Sequence, residues 1–284
     1  GSIGFPSAVM IACTWNEDIA EAFGASIGKM ADEMGVSGWY APAMNIHRSA
    51  FAGRNFEYYS EDGVLSGKIV AKAVIGAEQY GVYAYLKHFA LNDQETNRCS
   101  MLCTWTNEQA IREIYLKPFE IAVKEGKAKA IMSSFNYIGT RWAGGSSELC
   151  NTVLRDEWGF KGFVLTDYFG VYGYMSSDQA IRNGTDAMLV AYDTETNHVK
   201  DTKSATGVQA MRQACKNVMY TVVNSRAYAP ENLQTGLMAW QVMAIVIDVV
   251  LAAGLLALEA VAVKRFKKRR VEAGAQVDKE DMDQ

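Results

Sequence analysis

Short apolar runs at Trp39–Met44, Val82–Leu86, Ala130–Met132, Phe163–Leu165 and Ala187–Val190 stand between glycines or polar residues. Their length and boundaries predict buried strands. The segments between several of them carry helical spacing instead. Thr14-Trp15-Asn16-Glu17 has the form of a capping box and opens a helix predicted to end near Met34. Thr106-Asn107-Glu108-Gln109 opens a second helix to about Lys124, which Pro118 should kink or restart. Ser147 is expected to cap a third, with Leu149, Val153 and Leu154 on one face and Trp158-Gly159-Phe160 at its end. A last amphipathic stretch runs from Gly207 to Val223. Strand and helix alternate without a hairpin signal, which predicts a parallel sheet covered by helices.

The pattern changes at Leu237. From there to Val263 the only strongly polar residues are Gln241, Asp248 and Glu259, and the apolar positions run all round the helix rather than along one face. As a helix this stretch is about 40 Å long, more than a hydrocarbon core of about 30 Å. Residues Lys264 to Arg270 then place six cations in seven positions, whereas residues 230–236 carry no cation. The positive-inside rule puts the C-terminus in the cytoplasm and the preceding chain outside. Asp248, near mid-span, opposes insertion by about 2.5–3.5 kcal/mol, and an amphipathic surface helix is the competing expectation. The expected organisation is a folded domain over 1–228, a linker over 229–236, a membrane-spanning helix over 237–263, and a basic then acidic cytoplasmic tail over 264–284. The tail from Val271 onward is expected to be unstructured. A cell membrane location, with a lipid bilayer as partner, follows.

Composition narrows the class further. The 284 residues are 49% hydrophobic with 4 prolines, enough to bury a core and to exclude disorder over most of the chain. A net charge of -4 without a basic patch in the folded part argues against nucleic acid as a partner. The five cysteines (Cys13, Cys99, Cys103, Cys150 and Cys215) fit neither a disulfide scaffold nor a structural zinc site. They are expected to be free thiols, with Cys99 and Cys103 the one pair that an oxidising compartment could join. No signal peptide is evident at the start of the chain.

Polar residues cluster at the C-terminal ends of the predicted strands: Asn45, Lys87-His88, Ser133-Ser134 and Thr166-Asp167. There is no Gly-rich dinucleotide fingerprint and no Walker loop, so nucleotide-binding open sheets lose their main support. Several strand ends feeding one face is the habit of the (β/α)8 TIM-type barrel. With five strands evident, the barrel is expected to be incomplete at its N-terminus.

Gly53-Arg54-Asn55-Phe56-Glu57 with Ser60-Glu61-Asp62, then Lys87-His88-Phe89-Ala90-Leu91-Asn92-Asp93-Gln94-Glu95 with Arg98, then Met132-Ser133-Ser134-Phe135-Asn136, and Val164-Leu165-Thr166-Asp167-Tyr168 follow in order. Together they resemble the barrel domain of glycoside hydrolase family 3, the β-glucosidase family, over residues 5 to about 223. The resemblance implies a retaining β-glycosidase acting on terminal β-linked sugars of oligosaccharides or glycosides, without metal or cofactor. It makes Asp167 the nucleophile and Arg54, Lys87, His88, Arg98 and Met132 the sugar-contacting set. Cations around Asp167 should favour its ionised form. Bland alternatives stand beside each role: a helix cap for Asp167, a rim lysine for Lys87, a satisfied core histidine for His88 and ion pairs for Arg54 and Arg98.

Two departures from the family pattern bear on mechanism. Phe135 stands where the family often has a tyrosine, so a hydroxyl contact to the nucleophile should be absent. The first-strand aspartate of an Asp-Gly-Pro motif, which holds the glycone in such enzymes, has no counterpart. The family's general acid is usually a glutamate on a second domain. Glu57, Glu61, Glu95 and Glu148 are expected instead to bind arginines or cap helices. A second glycosidase domain carrying the acid/base is therefore an implied partner, with the two domains in reversed order. Two other classes remain open: a surface-anchored sugar-binding module without turnover, and a Schiff-base enzyme using Lys87.

Overall fold

A computed structural model describes residues 3–169, 172–190, 197–232 and 236–282. The chain divides into two units, Gly1–Leu233 and Gln234–Gln284. The first contains helices α1 (Ala8–Ala12), α2 (Glu17–Glu33), α3 (Gly63–Glu78), α4 (Glu108–Ala110), α5 (Lys117–Lys124), α6 (Ser177–Arg182) and α7 (Ala205–Val223). Its strands are β1 (Gly38–Trp39), β2 (Tyr83–Phe89), β3 (Cys103–Thr104), β4 (Ala130–Ser133), β5 (Tyr137–Ile138), β6 (Arg141–Trp142), β7 (Phe163–Tyr168) and β8 (Ala187–Leu189).

The five predicted strands form one parallel sheet in the order β1-β2-β4-β7-β8. It is an α/β fold with a parallel half-barrel sheet. Side-chain alternation sorts the core into two layers. Leu86, Ile131 and Val164 face the helices and pack with Ile69, Val70, Val74, Phe119 and Leu154. Tyr83, Tyr85, Met132, Phe163 and Leu165 form the opposite layer. By the same alternation Lys87 continues the Tyr83–Tyr85 row and Asp167 continues the Phe163–Leu165 row.

Several expectations need correction. The first strand is shorter than Trp39–Met44 because Pro42 has no N–H to give the ladder; pairing resumes beyond it, with Met44 N–H donating to Lys87 O at 2.7 Å. β2 and β7 run further than predicted, so Lys87, His88, Thr166 and Asp167 lie inside the strands rather than after them. A hairpin does exist: β5 and β6 pair antiparallel, and β3 joins them in a small second sheet. Gly139, at φ +60°, supplies the left-handed position that a two-residue hairpin loop needs.

The helix starts are each displaced from the predicted cap. Asn16, not Thr14, caps α2 by accepting from Asp18 N and Ile19 N. Asn107 caps α4, a π-helical turn follows over Ile111–Tyr115, and α5 restarts with Pro118 in its first turn. The segment expected to start at Ser147 is π-helical over Glu148–Glu157, and Ser146 rather than Ser147 accepts the Leu149 N–H.

Helix α3 has no counterpart in the sequence prediction. It is buried on most of its surface, between α2 and α5, so no polar face marks its period. Gly76 permits the contact with α2: a Cβ there would fall 2.1 Å from Glu21 O. All five cysteines are free thiols.

In the second unit one helix, α8 (Ala239–Met282), carries the apolar stretch and continues through the basic cluster. The tail was expected to leave helical structure at Val271, but the backbone stays helical to Met282. Residues Ala239–Arg270 are long and apolar enough to cross a membrane, and none of the most apolar window is buried by protein. Residues 233–235 of the expected linker and 283–284 of the tail lie outside the described residues.

Candidate functional site

The site is assembled at the C-terminal ends of β2 and β7 and on the two loops that follow β1 and β2. Asp167 is 6% exposed. Its Oδ1 accepts the N–H of Tyr168 at 2.7 Å, while Oδ2 has no hydrogen-bond partner among the described residues. Facing Oδ2, each at 3.8 Å, are His88 Nε2 and Arg98 Nη1. Asp167 sits within the strand and does not cap a helix. Burial pushes its carboxyl above the ordinary value; the Tyr168 N–H and the charges of Arg98, Arg54 and Lys87 oppose this without cancelling it. The cations favour the ionised form, as expected, but the burial that outweighs them was not foreseen.

A second layer of ion pairs aims the cations. Glu57 bridges two of them, with Lys87 Nζ at 2.9 Å from Oε1 and Arg54 Nε and Nη2 at 2.9 and 2.7 Å from Oε2. Burial alone would push Glu57 up, but the hydrogen bonds and charges of Lys87 and Arg54 outweigh it and hold the carboxyl below its ordinary value. Glu95 does the same for Arg98 at 2.9 Å and lies 3.6 Å from Arg54. Lys87 Nζ also sits 4.7 Å above the Tyr40 ring, and Arg98 lies 4.7 Å over Phe135. The Lys87 nitrogen is thus engaged with Glu57 and the Tyr40 ring rather than standing alone, as a Schiff-base nucleophile would.

His88 is 2% exposed and shares a buried polar cluster with Asn45, Tyr58 and Asn92. Asn45 Oδ1 accepts the His88 backbone N–H at 2.9 Å, Asn45 Nδ2 donates to His88 O at 2.9 Å, and Nδ1 of the ring lies 3.2 Å from the same Oδ1. Tyr58 Oη is 3.4 Å from Nδ1 and gives its own proton to Asn92 O. Burial first, then the positive charges of Arg54, Lys87 and Arg98, hold the imidazole well below its usual value, so it is neutral at pH 7.

The structure brings Arg54, Lys87, His88, Arg98 and Asp167 to one mouth. It does not bring Met132 there. That side chain has no exposed surface and packs between strands with Ala130, Phe163 and Leu165, under the site rather than in it. Among the carboxylates assigned supporting roles, Glu57 and Glu95 bind arginines here, Glu148 binds Arg141 at 2.7 Å, and the α3 cap falls to Asp62. Phe135 presents no hydroxyl, and its ring supports Arg98. Sequence reasoning gave no role to Asn45, although it was singled out as a polar strand end, nor to Tyr40 or Tyr58. Two clefts of about 480 and 520 Å³ lie elsewhere, lined respectively by Arg48, Phe51 and Asp93, and by Ile111, Leu116 and Leu149, with Trp105 shared. Neither is lined by Asp167, Lys87 or His88, so the mouth is identified by its chemistry and not by its volume. No cluster of potential metal ligands occurs among the described residues.

The fold and site together are an α/β protein with a parallel half-barrel sheet, whose strand ends carry an under-hydrogen-bonded carboxylate ringed by cations. Residues 2–223 match the model of the glycosyl hydrolase family 3 N-terminal domain. The chain belongs to that family. β-Glucosidase A of Butyrivibrio fibrisolvens is 43% identical over 203 residues, covering 69% of this chain and 24% of that protein. A β-glucosidase of Rhizobium radiobacter is 41% identical over 182 residues, covering 64% of this chain and 22% of that protein. In solved structures, β-glucosidase 3B from Thermotoga neapolitana in complex with glycerol superposes with a TM-score of 0.72 at 34% identity, over 82% of this chain and 34% of that one. The chain thus spans about a quarter of the length of these curated relatives.

Proposed function

We propose that this chain is the sugar-binding, nucleophile-bearing part of a retaining β-glycosidase of β-glucosidase type. The observation that carries the proposal is Asp167 Oδ2: buried, without a hydrogen-bond partner among the described residues, and faced by His88 and Arg98. In the first step Oδ2 attacks the anomeric carbon, the bond to the aglycone oxygen breaks, and that oxygen takes a proton from a general acid. In the second, water deprotonated by the same group attacks the anomeric carbon and frees Asp167. Lys87 keeps ammonium protons for sugar hydroxyls beyond the one given to Glu57. Arg54 and Arg98, held by Glu57 and Glu95, supply fixed donors, and His88 reaches a hydroxyl through Nε2.

The general acid comes from outside this chain, on a partnering glycosidase domain. Supporting this, Glu57 is held ionised by Lys87 and Arg54, and Glu95 is bound by Arg98. General acid help is worth about 10²–10⁴-fold, so the chain alone should favour substrates with good leaving groups. The same engaged carboxylates favour a second reading, a sugar-binding module without turnover. An activated aryl 2-deoxy-2-fluoro-β-glucoside separates the two: the glycosidase reading predicts a burst of one aryl alcohol per chain, and a binder releases none. Equal turnover of an aryl glucoside and cellobiose by this chain alone would place the acid within it.

The second unit extends the proposal to location: residues 237–263 span the cell membrane, with the sugar site outside and the cluster at 264–270 inside. Protease treatment of intact cells should remove the sugar-binding unit and leave the tail protected. Digestion of the tail with the sugar-binding unit spared would reverse the orientation.

A further inference from the structure

We propose that Asn45 is a positioning residue that fixes His88 as its Nδ1–H tautomer, so that Nε2 meets Asp167 and the sugar as a bare lone pair. The part of this that concerns the sugar rests on the glycosidase reading above; the tautomer itself does not. The argument turns on which atoms around Nδ1 can accept a proton. Asn45 is held at both ends of its amide: Oδ1 accepts the His88 backbone N–H, and Nδ2 donates to His88 O. Its orientation is therefore settled by the backbone, and Oδ1 is the atom 3.2 Å from Nδ1. The other neighbour, Tyr58 Oη at 3.4 Å, has given its proton to Asn92 O and receives one from Asn92 Nδ2. Both neighbours of Nδ1 are acceptors. A neutral imidazole carries one ring proton, and that proton belongs on Nδ1.

The consequence lies on the other side of the ring. Nε2 is 3.8 Å from Asp167 Oδ2, beyond hydrogen-bond reach, and Oδ2 has no partner among the described residues. A lone pair on Nε2 fits that spacing and leaves Oδ2 unmasked, but Arg98 Nη1, which does carry protons, stands equally far off, so the tautomer rests on the two acceptors at Nδ1. With Nε2 bare, the nucleophilic oxygen keeps its electron pairs and a sugar hydroxyl finds an acceptor beside the cations. Asn45 is 1% exposed and acts only through His88.

The test uses the full chain in detergent micelles with ¹⁵N-labelled histidine. There are 3 histidines (His47, His88 and His198), and the His88 signal is assigned by its loss in His88→Gln. The expected result at pH 7 is a proton on Nδ1 and none on Nε2; a proton on Nε2, or on both nitrogens, overturns the proposal. A second variant reads the effect on the site. Asn45→Asp keeps the accepting oxygen but adds a negative charge beside the ring. The groups facing His88 are then this carboxylate and Asp167 against Arg54, Lys87 and Arg98, with Tyr58 at Nδ1. Those facing Asp167 are His88, the same three cations, Tyr40, Tyr172, Tyr174 and Cys99. His88 should take a second proton. Labelling of Asp167 by the fluoroglucoside should then slow about tenfold at neutral pH, the scale of one lost hydrogen bond. Its acid limb should move to lower pH. A loss of stability with the limb unmoved would make Asn45 merely structural and overturn the proposal. If no chain labels at all, it is the glycosidase reading that fails, while the ¹⁵N result still decides the tautomer.

Discussion

Two buried aspartates stand at opposite ends of the same sheet, and their surroundings differ in one respect. Asp186, immediately before β8, has both oxygens served: Arg155 at 2.6 Å and the Val164 N–H at 2.8 Å on Oδ2, and Asn217 at 2.8 Å on Oδ1. Asp167, near the end of β7, has one oxygen served and one facing two cationic or polar groups at 3.8 Å. Burial raises both carboxyls, Asp186 to about 6. A carboxylate whose hydrogen-bonding capacity is used up holds the fold together. One left short is costly to the fold and available to a substrate, which is how strain on stability accompanies an active centre.

The largest effect that would break this contrast is at Asp167. Asp167→Asn should lower fluoroglucoside labelling by about 10⁴–10⁶-fold, the scale of losing a covalent nucleophile. Its stability should move the other way. Because the folded carboxyl titrates above its unfolded value, the penalty on the fold builds as pH rises from the unfolded pKa to the folded one, is complete above the folded pKa, and vanishes below the unfolded one. The variant should therefore melt higher than the parent at pH 7, with the two Tm values converging in acid.

Asp186→Ala should do the reverse. It strands Arg155 in the interior and should cost about 3–5 kcal/mol in denaturant unfolding, while the folded fraction labels at the parental rate. A smaller effect is expected from Glu57→Gln, which loosens Lys87 and Arg54 together: KM for an aryl glucoside should rise about tenfold with a lesser change in kcat. The smallest is a displacement along pH. The acid limb of the labelling rate should lie above the ordinary aspartate value of about 4, because burial outweighs the cations at Asp167. A limb at or below that value would mean the cations win.

One side of this contrast was legible in the chain; Asp186 and its partners were not singled out. The five strands of the sheet and the clustering of polar residues at their ends could be read from spacing and residue type, and the motifs around Arg54, Lys87-His88 and Asp167 from their resemblance to the family. Helix α3 could not, because Ile69, Val70, Ala73 and Val74 are buried among other helices and leave no amphipathic period. The hairpin at Gly139 was hidden by its brevity, two residues on each side of the loop. Met132 illustrates a different limit: strand alternation puts its side chain in the same layer as the Leu165 and Asp167 row, but it lies level with Leu165, two residues short of Asp167, and is fully covered. Burial at Asp167 was equally invisible, since the cations that oppose it are in the motifs and the surfaces that desolvate it are not. The role of Asn45 needed distances, because an asparagine ending a strand is ordinary until its amide is seen clamped to the backbone of His88.

The most direct test is to map the covalent adduct. The chain is treated with an activated 2-deoxy-2-fluoro-β-glucoside, digested, and the glycosylated residue located by tandem mass spectrometry. A single fluoroglucosyl ester on Asp167, absent from Asp167→Asn, is the predicted result. An adduct on Glu57, Glu95 or Asp93, or no adduct in a chain that binds glucose, would contradict the assignment of Asp167 as the nucleophile.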